Sequence, residues 1–409
     1  MAELLTSSGY HKAPDYTSAQ VCIINSCTVT ATGDAKCRKI LHRVRRENPS
    51  CIIVLCGCMP QAFADQPELF EGCDIVMGNT ARREIVDVLD EYLLTRQPII
   101  RIGEHQKGEA FEPMTVSDFD ERTRAFVKIE DGCNRFCSYC IIPYARGRVR
   151  SKPLDELSAE AKNLAAHGFR EIVLVGINLS AYGQELNADI ADAVHTVCEV
   201  DGIERVRLGS IEPERMTREM LMRLSSEPKF CPQFHLSLQS GCDATLKRMR
   251  RHYDTAEYAR IVADIRELFI NPAITTDVMV GFVGESEEEF EQSLAFCEQI
   301  GFAKAHVFPY SVRKGTAAER MEGHIDEGIK HRRAEEVIAR TAVGQKEFMR
   351  SQVGTVASVL IERYSDGASE GYSLNYTKIR IPGRAMLSGE SVTVKVTEAF
   401  DDYCVGEVM

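Results

Sequence analysis

The sequence predicts an α/β protein of three parts: an N-terminal parallel α/β domain, a central (β/α)6 partial barrel and a small C-terminal antiparallel β-barrel. Strand-like and helix-like segments alternate across residues 1–103 and again across 123–350, which is typical of parallel sheets covered by helices. From 351 to 409 short β-type runs are separated by turn residues, which indicates antiparallel strands. The acidic segment 104–122, which contains Pro and Gly, is predicted to be a linker.

Composition describes a globular chain without a membrane segment. The 409 residues are 44% hydrophobic and 27% charged, which suits two to three domains. The longest apolar stretch, Cys51 to Met59, is much shorter than the roughly 20 residues that span a bilayer. Fifteen cysteines without a recognisable secretory signal predict a reducing, cytoplasmic compartment, where spaced cysteines serve metal or redox chemistry.

The N-terminal part is interpreted as alternating helices and strands. We predict strands at 20–25, 51–57 and 74–78, and helices at 2–8, 30–47 and 80–94. A parallel domain of this kind normally begins with a strand, whereas here a helix comes first. We therefore expect the first strand of the domain to be missing from this chain.

The central part contains a longer alternating series. Strands are predicted at 125–129, 171–175, 204–208, 234–238, 274–280 and 304–309. Helices are predicted at 154–167, 187–199, 214–225, 254–269, 286–300 and 326–350. Six strand–helix units suit a partial or full parallel barrel, in which chemistry takes place at the C-terminal ends of the strands. The runs VASVLIERY, TKIRIPG and ESVTVKVTEAF then predict the small β-barrel.

Three cysteines are spaced C-x3-C-x2-C directly after the first predicted barrel strand: Cys133, Cys137 and Cys140. Three thiolates in eight residues can bind three irons of a cubic 4Fe-4S cluster and leave the fourth iron open for substrate chemistry. A structural zinc site would need a fourth ligand, and none lies close by. The alternatives are a zinc site and three unliganded cysteines in a loop.

Two further cysteines are predicted at strand ends. Cys27 follows the strand at 20–25 and Cys58 follows the strand at 51–57, so both would lie at one edge of a parallel sheet, as metal ligands require. Cysteine is also among the residue types most often buried, so two core cysteines are the alternative.

The surrounding sequence resembles a known family over nearly the whole chain. The segments are EDGCNRFCSYCIIPYARGRVRS, LVGINLSAYG, RLGSIEPE, FHLSLQSGCDATLKRMRR, DVMVGFVGESEEEF and HVFPYSVRKGTAAERM. Together they resemble the radical S-adenosylmethionine methylthiotransferases. The resemblance implies two 4Fe-4S clusters, one of which binds exchangeable S-adenosylmethionine at the open iron of the C-x3-C-x2-C site.

The resemblance also implies ligands for the second cluster, which three cysteines hold in this family. Two of them match Cys27 and Cys58, and the third belongs to a strand before the first helix, which is absent here. We expect a start site assigned too late. The cysteines close to this region, none of which matches the family position, are Cys22, Cys37 and Cys56.

The resemblance places an S-adenosylmethionine pocket at the C-terminal strand ends. Its candidate residues are Tyr139 beside the adenine, and Gly176, Asn178, Glu212 and Gln239. Each taken alone could be an ordinary turn glycine or polar loop residue.

Several basic groups suit a phosphate-bearing substrate, although the net charge of −12 argues weakly against indiscriminate nucleic-acid binding. The candidates are Lys36, Lys39, Arg43 and Arg46 on helix 30–47; Lys247, Arg248, Arg250 and Arg251; and Arg146, Arg148, Arg150 and Lys152. A solvated helix face is the ordinary alternative. The segment EGYSLNYTKIRIPG resembles the RNA-binding TRAM barrel, in which Tyr376 could stack on a base while Lys378, Arg380 and Arg384 meet phosphates.

The resemblance implies that this chain puts a methylthio group on carbon 2 of a hypermodified adenosine in the tRNA anticodon region. The first cluster would generate the radical, the second would supply sulfur, and a second S-adenosylmethionine would supply the methyl group. The closest branch acts on N6-threonylcarbamoyladenosine. Alternatives are N6-isopentenyladenosine, an aspartate of a small-subunit ribosomal protein, or a non-catalytic RNA-binding remnant. We expect a monomer served by an electron donor such as flavodoxin or ferredoxin.

Overall fold

The computed structural model describes residues 1–112 and 123–409, so residues 113–122 of the predicted linker lie outside the described part. The chain divides into two compact units. The first consists of Met1–Glu109, Gly132–Val149 and Ser311–Arg320, and the second of the remaining described residues. The C-x3-C-x2-C loop therefore belongs to the same unit as the N-terminal sheet. The domain boundaries given above stay predictions.

The first unit is built on a parallel four-stranded sheet in the order β1-β2-β3-β4. The strands are β1 (Val21–Ser26), β2 (Ile52–Gly57), β3 (Ile75–Met77) and β4 (Ile99–Arg101). The helices are α1 (Ala2–Ser7), α2 (Ala31–Glu47), α3 (Cys58–Ala62), α4 (Ile85–Thr95) and α5 (Ile142–Arg146), and a 3-10 helix spans Asn79–Glu84.

The predicted strands and helices of this unit are confirmed, but the unit also contains short elements that the sequence does not predict. These are β4, α3 and α5, in which three to five residues are too few to show a periodicity. The helix predicted at 80–94 begins as the 3-10 helix and becomes α-helical only at Ile85.

Strand β2 is buried along its whole length because its alternate side chains enter two different cores. On one face Ile53 packs in a cluster with Leu41 of α2. On the other face Val54 packs in a cluster with Val88 of α4. This double coverage explains why the sequence of β2 is a continuous apolar run rather than an alternating pattern.

The second unit contains the six predicted parallel strands, which are confirmed. They are β5 (Arg124–Lys128), β8 (Glu171–Val175), the consecutive β9 (Arg205–Leu208) and β10 (Ser210–Ile211), β11 (Gln233–Leu236), β12 (Ala273–Val280) and β13 (Lys304–Pro309). The pairing runs β5-β8-β9 and β10-β11-β12-β13. The strand predicted at 204–208 corresponds to β9, and β10 follows it beyond Gly209. A small antiparallel pair, β6 (Glu130–Asp131) with β7 (Arg150–Ser151), follows β5.

Helices pack against these strands around one large apolar core. They are α6 (Leu154–Ala166), α7 (Ile190–Cys198), α8 (Arg218–Ser225), α9 (Asp243–Arg248), α10 (Thr255–Leu268), α11 (Glu287–Ile300) and α12 (Glu327–Ser351). Within the described ranges, none of the helices has both the length and the apolar character that crossing a bilayer requires.

The C-terminal part forms a closed barrel in the order β14-β15-β16-β18-β17. Its strands are β14 (Val356–Ser365), β15 (Ala368–Ser373), β16 (Lys378–Pro382), β17 (Ser391–Ala399) and β18 (Cys404–Val408). Strands β15 and β18 were not recognised from the sequence. The pairing is antiparallel as predicted, except that β16 and β18 run parallel.

Buried arginines attach this barrel to the starts of the parallel strands. Arg205 donates from Nη1 to the carbonyl of Tyr372 at 3.0 Å, and Arg207 donates from Nη1 to the carbonyl of Leu374 at 2.9 Å. Both arginines lie within 4 Å of the carboxylate of Glu171, which is 1% exposed. The small barrel thus lies at the opposite strand ends from those where catalytic residues of parallel barrels are found.

Candidate iron–sulfur and cofactor sites

The loop that carries Cys133, Cys137 and Cys140 is held by backbone hydrogen bonds. The Cys140 N–H donates to the carbonyl of Cys137 at 3.0 Å, which makes a tight turn between two of the thiols. The N–H of Ala318, on the segment 311–320, donates to the carbonyl of Ser138 at 2.7 Å. The loop is thus fixed both by its own turn and by a distant part of the chain.

The donor chemistry of this loop fits an iron–sulfur cluster. Three thiols lie within eight residues, and no carboxylate or imidazole lies between them. Across the described ranges, no three His, Cys, Asp or Glu side chains are gathered closely enough to hold a single metal ion. Three thiols spread along one loop suit a multi-iron cluster, in which each sulfur binds a different iron.

The structure places Cys27 and Cys58 at one sheet edge, as predicted. Cys27 directly follows β1 and Cys58 directly follows β2, and the last residues of these strands, Ser26 and Gly57, are register partners. Gly57 has φ +100°, and a Cβ there would lie 2.5 Å from the carbonyl oxygen of Ser26. Only glycine permits this close approach, so Gly57 brings the two strand ends together.

Asn79 is a buried residue beside Cys58 that sequence reasoning missed. It follows β3 at the same sheet edge and is 2% exposed. Its Nδ2 lies 3.6 Å from the sulfur of Cys58 and 2.7 Å from the carbonyl oxygen of Ala145. Its Oδ1 accepts a hydrogen bond from Nη1 of Arg146 at 3.1 Å. Its position, as the first polar residue after the next strand of the sheet, was the available signal.

The nearby cysteines that do not match the family position lie in hydrophobic clusters. Cys37 and the partly buried Cys22 pack with α2, and Cys56 packs on the opposite face of the sheet. Burial raises the pKa of all three thiols, that of Cys56 to about 11. A cysteine binds a metal as its thiolate, and a raised pKa disfavours that form. The surroundings of Cys22, Cys37 and Cys56 therefore favour a role in core packing over one as metal ligands.

A buried ion pair supports the segment after Cys27. Arg313, which is 3% exposed, lies with Nη1 2.5 Å from Oδ2 of Asp34. Asp34 also accepts a hydrogen bond from the hydroxyl of Thr28 at 2.8 Å, and Arg313 donates to the same hydroxyl. Sequence reasoning missed this network because its members are far apart along the chain.

In the second unit, Gly176 and Asn178 lie against a buried glutamate that the sequence analysis missed. Oε2 of Glu130 accepts a hydrogen bond from the Asn178 N–H at 2.6 Å, and a Cβ on Gly176 would lie 2.7 Å from the same oxygen. Oε1 of Glu130 is buried and has no hydrogen-bond partner among the described residues. Burial raises the pKa of Glu130 to about 8, with Asp131 adding to the effect.

Glu212 and Gln239 follow β10 and β11, at C-terminal strand ends as predicted. The carboxylate of Glu212 is ion-paired with Arg251. Gln239 has φ +65°, which is uncommon for a residue other than glycine. Its N–H donates to the carbonyl of Asp277 at 2.9 Å. Tyr139 lies half-buried in the cysteine loop of the other unit.

The predicted basic groups differ in exposure. On α2 the side chains of Lys36, Lys39, Arg43 and Arg46 are exposed, and Arg43 and Arg46 pair with Glu47. The group that follows the cysteine loop is largely buried: Arg146 bonds Asn79, Arg150 pairs with Asp131, and Lys152 pairs with Glu160. The exposed phosphate contacts suggested for that group are therefore wrong for these three residues.

Comparisons with known proteins agree with this architecture. The "Radical SAM superfamily" model matches residues 127–297, and "Uncharacterized protein family UPF0004" matches residues 1–78. "Threonylcarbamoyladenosine tRNA methylthiotransferase MtaB" of Bacillus subtilis is 36% identical, over 99% of this chain and 91% of that protein. "tRNA-2-methylthio-N(6)-dimethylallyladenosine synthase" of Pelotomaculum thermopropionicum is 33% identical, over 98% and 91%.

A solved structure shares the fold. The radical S-adenosylmethionine methyltransferase TsrM of Kitasatospora setae, with cobalamin and a [4Fe-4S] cluster bound, superposes with a TM-score of 0.56 at 14% identity, over 90% of this chain and 76% of that one. The family models and the relatives together show a radical S-adenosylmethionine enzyme with two 4Fe-4S clusters. The full-length similarity narrows the class: the chain belongs to the methylthiotransferase family.

Proposed function

We propose that this chain transfers a methylthio group to carbon 2 of N6-threonylcarbamoyladenosine beside the tRNA anticodon. The observation that carries the proposal is the association of two cysteine sets in one compact unit. Helix α3, which begins with Cys58, packs against α5, which follows Cys140 directly. A reaction that needs a radical generator and a sulfur source requires the two to be held together on one rigid support.

Cys133, Cys137 and Cys140 would hold the cluster that binds S-adenosylmethionine, and Cys27 and Cys58 would hold the second one. When bound, these groups supply radical formation, sulfur and the methyl group. The residues of the chain position the cysteines: the Cys137–Cys140 turn, the Ala318 hydrogen bond and the Gly57 close approach fix where the thiols project.

Gly176, Asn178, Glu212 and Gln239 of the second unit are proposed to bind S-adenosylmethionine. Tyr139, on the cysteine loop, stays a separate proposal for a residue beside the adenine. Glu130 joins this set because it combines a buried carboxyl oxygen without a partner in the described part of the chain with direct contact to Asn178 and Gly176. A buried carboxyl oxygen of this kind suits a hydrogen bond to a polar group of a bound ligand. The pairing of Glu212 with Arg251 suits a role in shaping the pocket.

The substrate test uses anaerobically reconstituted enzyme and two tRNAs, one carrying N6-threonylcarbamoyladenosine and one carrying N6-isopentenyladenosine. We expect the 2-methylthio derivative of the first nucleoside alone, detected by mass spectrometry of digested tRNA. Modification of the second tRNA, or of an aspartate in a small-subunit ribosomal protein, would contradict the substrate assignment. Cys133→Ala, which removes one loop thiol, should abolish both S-adenosylmethionine cleavage and product.

The remaining partners belong to the same proposal. We propose a monomeric, cytoplasmic enzyme that receives electrons from a flavodoxin or ferredoxin. Its RNA contacts would come from the exposed basic side of α2 and from the C-terminal barrel. The relatives whose names include tRNA support an RNA substrate.

A further inference from the structure

We infer that Asn79 is a positioning residue that hydrogen-bonds the sulfur of Cys58 and thereby sets the reduction potential of the N-terminal cluster. The inference rests on the proposed function in one respect, namely that Cys58 is a cluster ligand. It concerns a residue that contributes no ligand itself. Asn79 acts through the sulfur that it contacts and through the helix to which it is tied.

The contact has the geometry of an N–H···S hydrogen bond. Nδ2 of Asn79 lies 3.6 Å from Sγ of Cys58, and the Asn79 side chain is buried, with 2% of the residue exposed. A donor aimed at a ligating sulfur stabilises the more negative, reduced state of a cluster. Burial removes competing water, so the effect of one N–H on the sulfur is stronger than at a surface.

The other atoms of the Asn79 amide fix its direction. The second Nδ2 hydrogen bond goes to the carbonyl oxygen of Ala145 at 2.7 Å, and Oδ1 accepts from Nη1 of Arg146 at 3.1 Å. Both partners end α5, the helix that follows Cys140 in the chain. One amide therefore connects the Cys58 thiol to the segment that continues from the C-x3-C-x2-C loop.

This connection satisfies every hydrogen-bonding group of a buried side chain, which is the condition for a rigid polar contact. Replacing asparagine by a residue of the same size without N–H donors removes the donor to sulfur and the tie to Ala145 together. The planar amide of Asn79 thus bonds a sulfur, a carbonyl and a guanidinium from one group.

The experiment isolates the N-terminal cluster in the 409-residue chain that carries Cys133→Ala, Cys137→Ala and Cys140→Ala. In this background we compare Asn79→Leu and Asn79→Asp with the unchanged Asn79 by redox titration followed by EPR. We expect both variants to be harder to reduce, by about tenfold in the oxidised-to-reduced ratio, which corresponds to about 59 mV for a one-electron couple. We also expect a chelator to remove iron faster from both variants.

Asn48→Leu is the matched control. Asn48 is a second buried asparagine of the same unit, 9% exposed, whose Nδ2 donates to the carbonyls of Tyr16, Thr17 and Ala19. The Asn48→Leu variant tests whether removing any buried amide side chain changes the reduction potential or the iron retention of the cluster. We expect the potential and the rate of iron loss to match those of the background protein.

The outcomes separate this inference from the proposed function. If Cys58→Ala retains the N-terminal cluster, the ligand assignment fails. If Cys58→Ala loses the cluster while both Asn79 variants keep the original potential and iron retention, only the role of Asn79 is overturned. If the Asn79 variants assemble no N-terminal cluster while Asn48→Leu does, the positioning role is supported directly.

Discussion

The guanidinium carbon of Arg207 lies 4.7 Å from the centre of the Tyr376 ring. The same ring stacks on Tyr372 at 4.5 Å, and the guanidinium carbon of Arg124 lies 5.0 Å from its centre. The sequence predicts that Tyr376 stacks on a base, and this stays a prediction because 42% of the residue is exposed. Its neighbours also give the ring a structural role, in which it covers the buried arginines that attach the small barrel to the parallel strands.

We predict that Tyr376→Ala lowers the free energy of unfolding by about 1–3 kcal/mol, because it removes an aromatic pair and two cation–π interactions. Tyr376→Phe retains the ring and should lower it by less than half of that amount. Denaturant unfolding measures both variants. We expect Tyr376→Phe to bind tRNA as tightly as the unchanged protein. A stable Tyr376→Ala with weakened tRNA binding would support the base-stacking prediction.

Glu171 is predicted to be a carboxylate whose loss strongly destabilises the second unit. It is 1% exposed and lies within 4 Å of Arg124, Arg205 and Arg207. Glu171→Gln leaves three buried cations without their common counter-charge, and removing one partner of a buried ion pair costs about 3–5 kcal/mol. Unfolding measurements test this value.

The exposed pair of Arg340 and Glu298 supplies the control for Glu171. Glu298→Gln should change stability by at most about 1 kcal/mol, since exposed ion pairs contribute little. A similar destabilisation in the two variants would mean that the Glu171 cluster is not what holds the small barrel. Deleting 354–409 is a less direct test, because it removes the carbonyls that Arg205 and Arg207 bond.

Glu130 makes stability depend on pH. Burial raises its pKa from 4.5 to about 8, so the folded protein keeps a proton that the unfolded chain releases in that range. The unfolded state then binds fewer protons, and the free energy of unfolding falls as the pH rises from about 4.5 to 8. Glu130→Gln removes this ionisation, so we expect it to gain stability relative to the unchanged protein as the pH increases.

The measurement compares denaturant unfolding at pH 6 and pH 8.5. Glu288→Gln, at an exposed position on α11, controls for replacing one carboxyl by an amide. If the stability difference between Glu130→Gln and the unchanged protein is the same at both pH values, the buried carboxyl does not titrate as described.

The exposed basic side of α2 is predicted to bind tRNA phosphates. Lys36→Glu with Lys39→Glu should weaken tRNA binding and make it less salt-dependent, with a slope shallower by about 0.9 for each duplex phosphate that is no longer bound. The control is Lys162→Glu, a charge reversal at an exposed position on α6. Binding isotherms at several salt concentrations measure both variants. Equal affinities and slopes in the two variants would reject α2 as an RNA-binding surface.

The sequence by itself determined the class of fold and the main cysteine chemistry. Short apolar runs located the six parallel strands, because strands that are buried on both faces are apolar along most of their length. Period-3.6 patterns located most helices, because a helix with one buried face records that face in its side chains. The spacing of Cys133, Cys137 and Cys140 also needed no structure, since three donors within eight residues must lie on one loop. Short elements such as β4 and α3 were missed for lack of a repeat.

The tertiary structure decided the contacts between residues that are distant along the chain. It alone placed Asn79 between Cys58 and α5, joined Arg313 to Asp34, and buried Lys152, which the sequence suggested as a phosphate contact. The physical reason is that a polar side chain looks the same in sequence whether it faces water or a buried partner. Only the packing within each unit decides whether its charge or hydrogen-bonding groups are already satisfied.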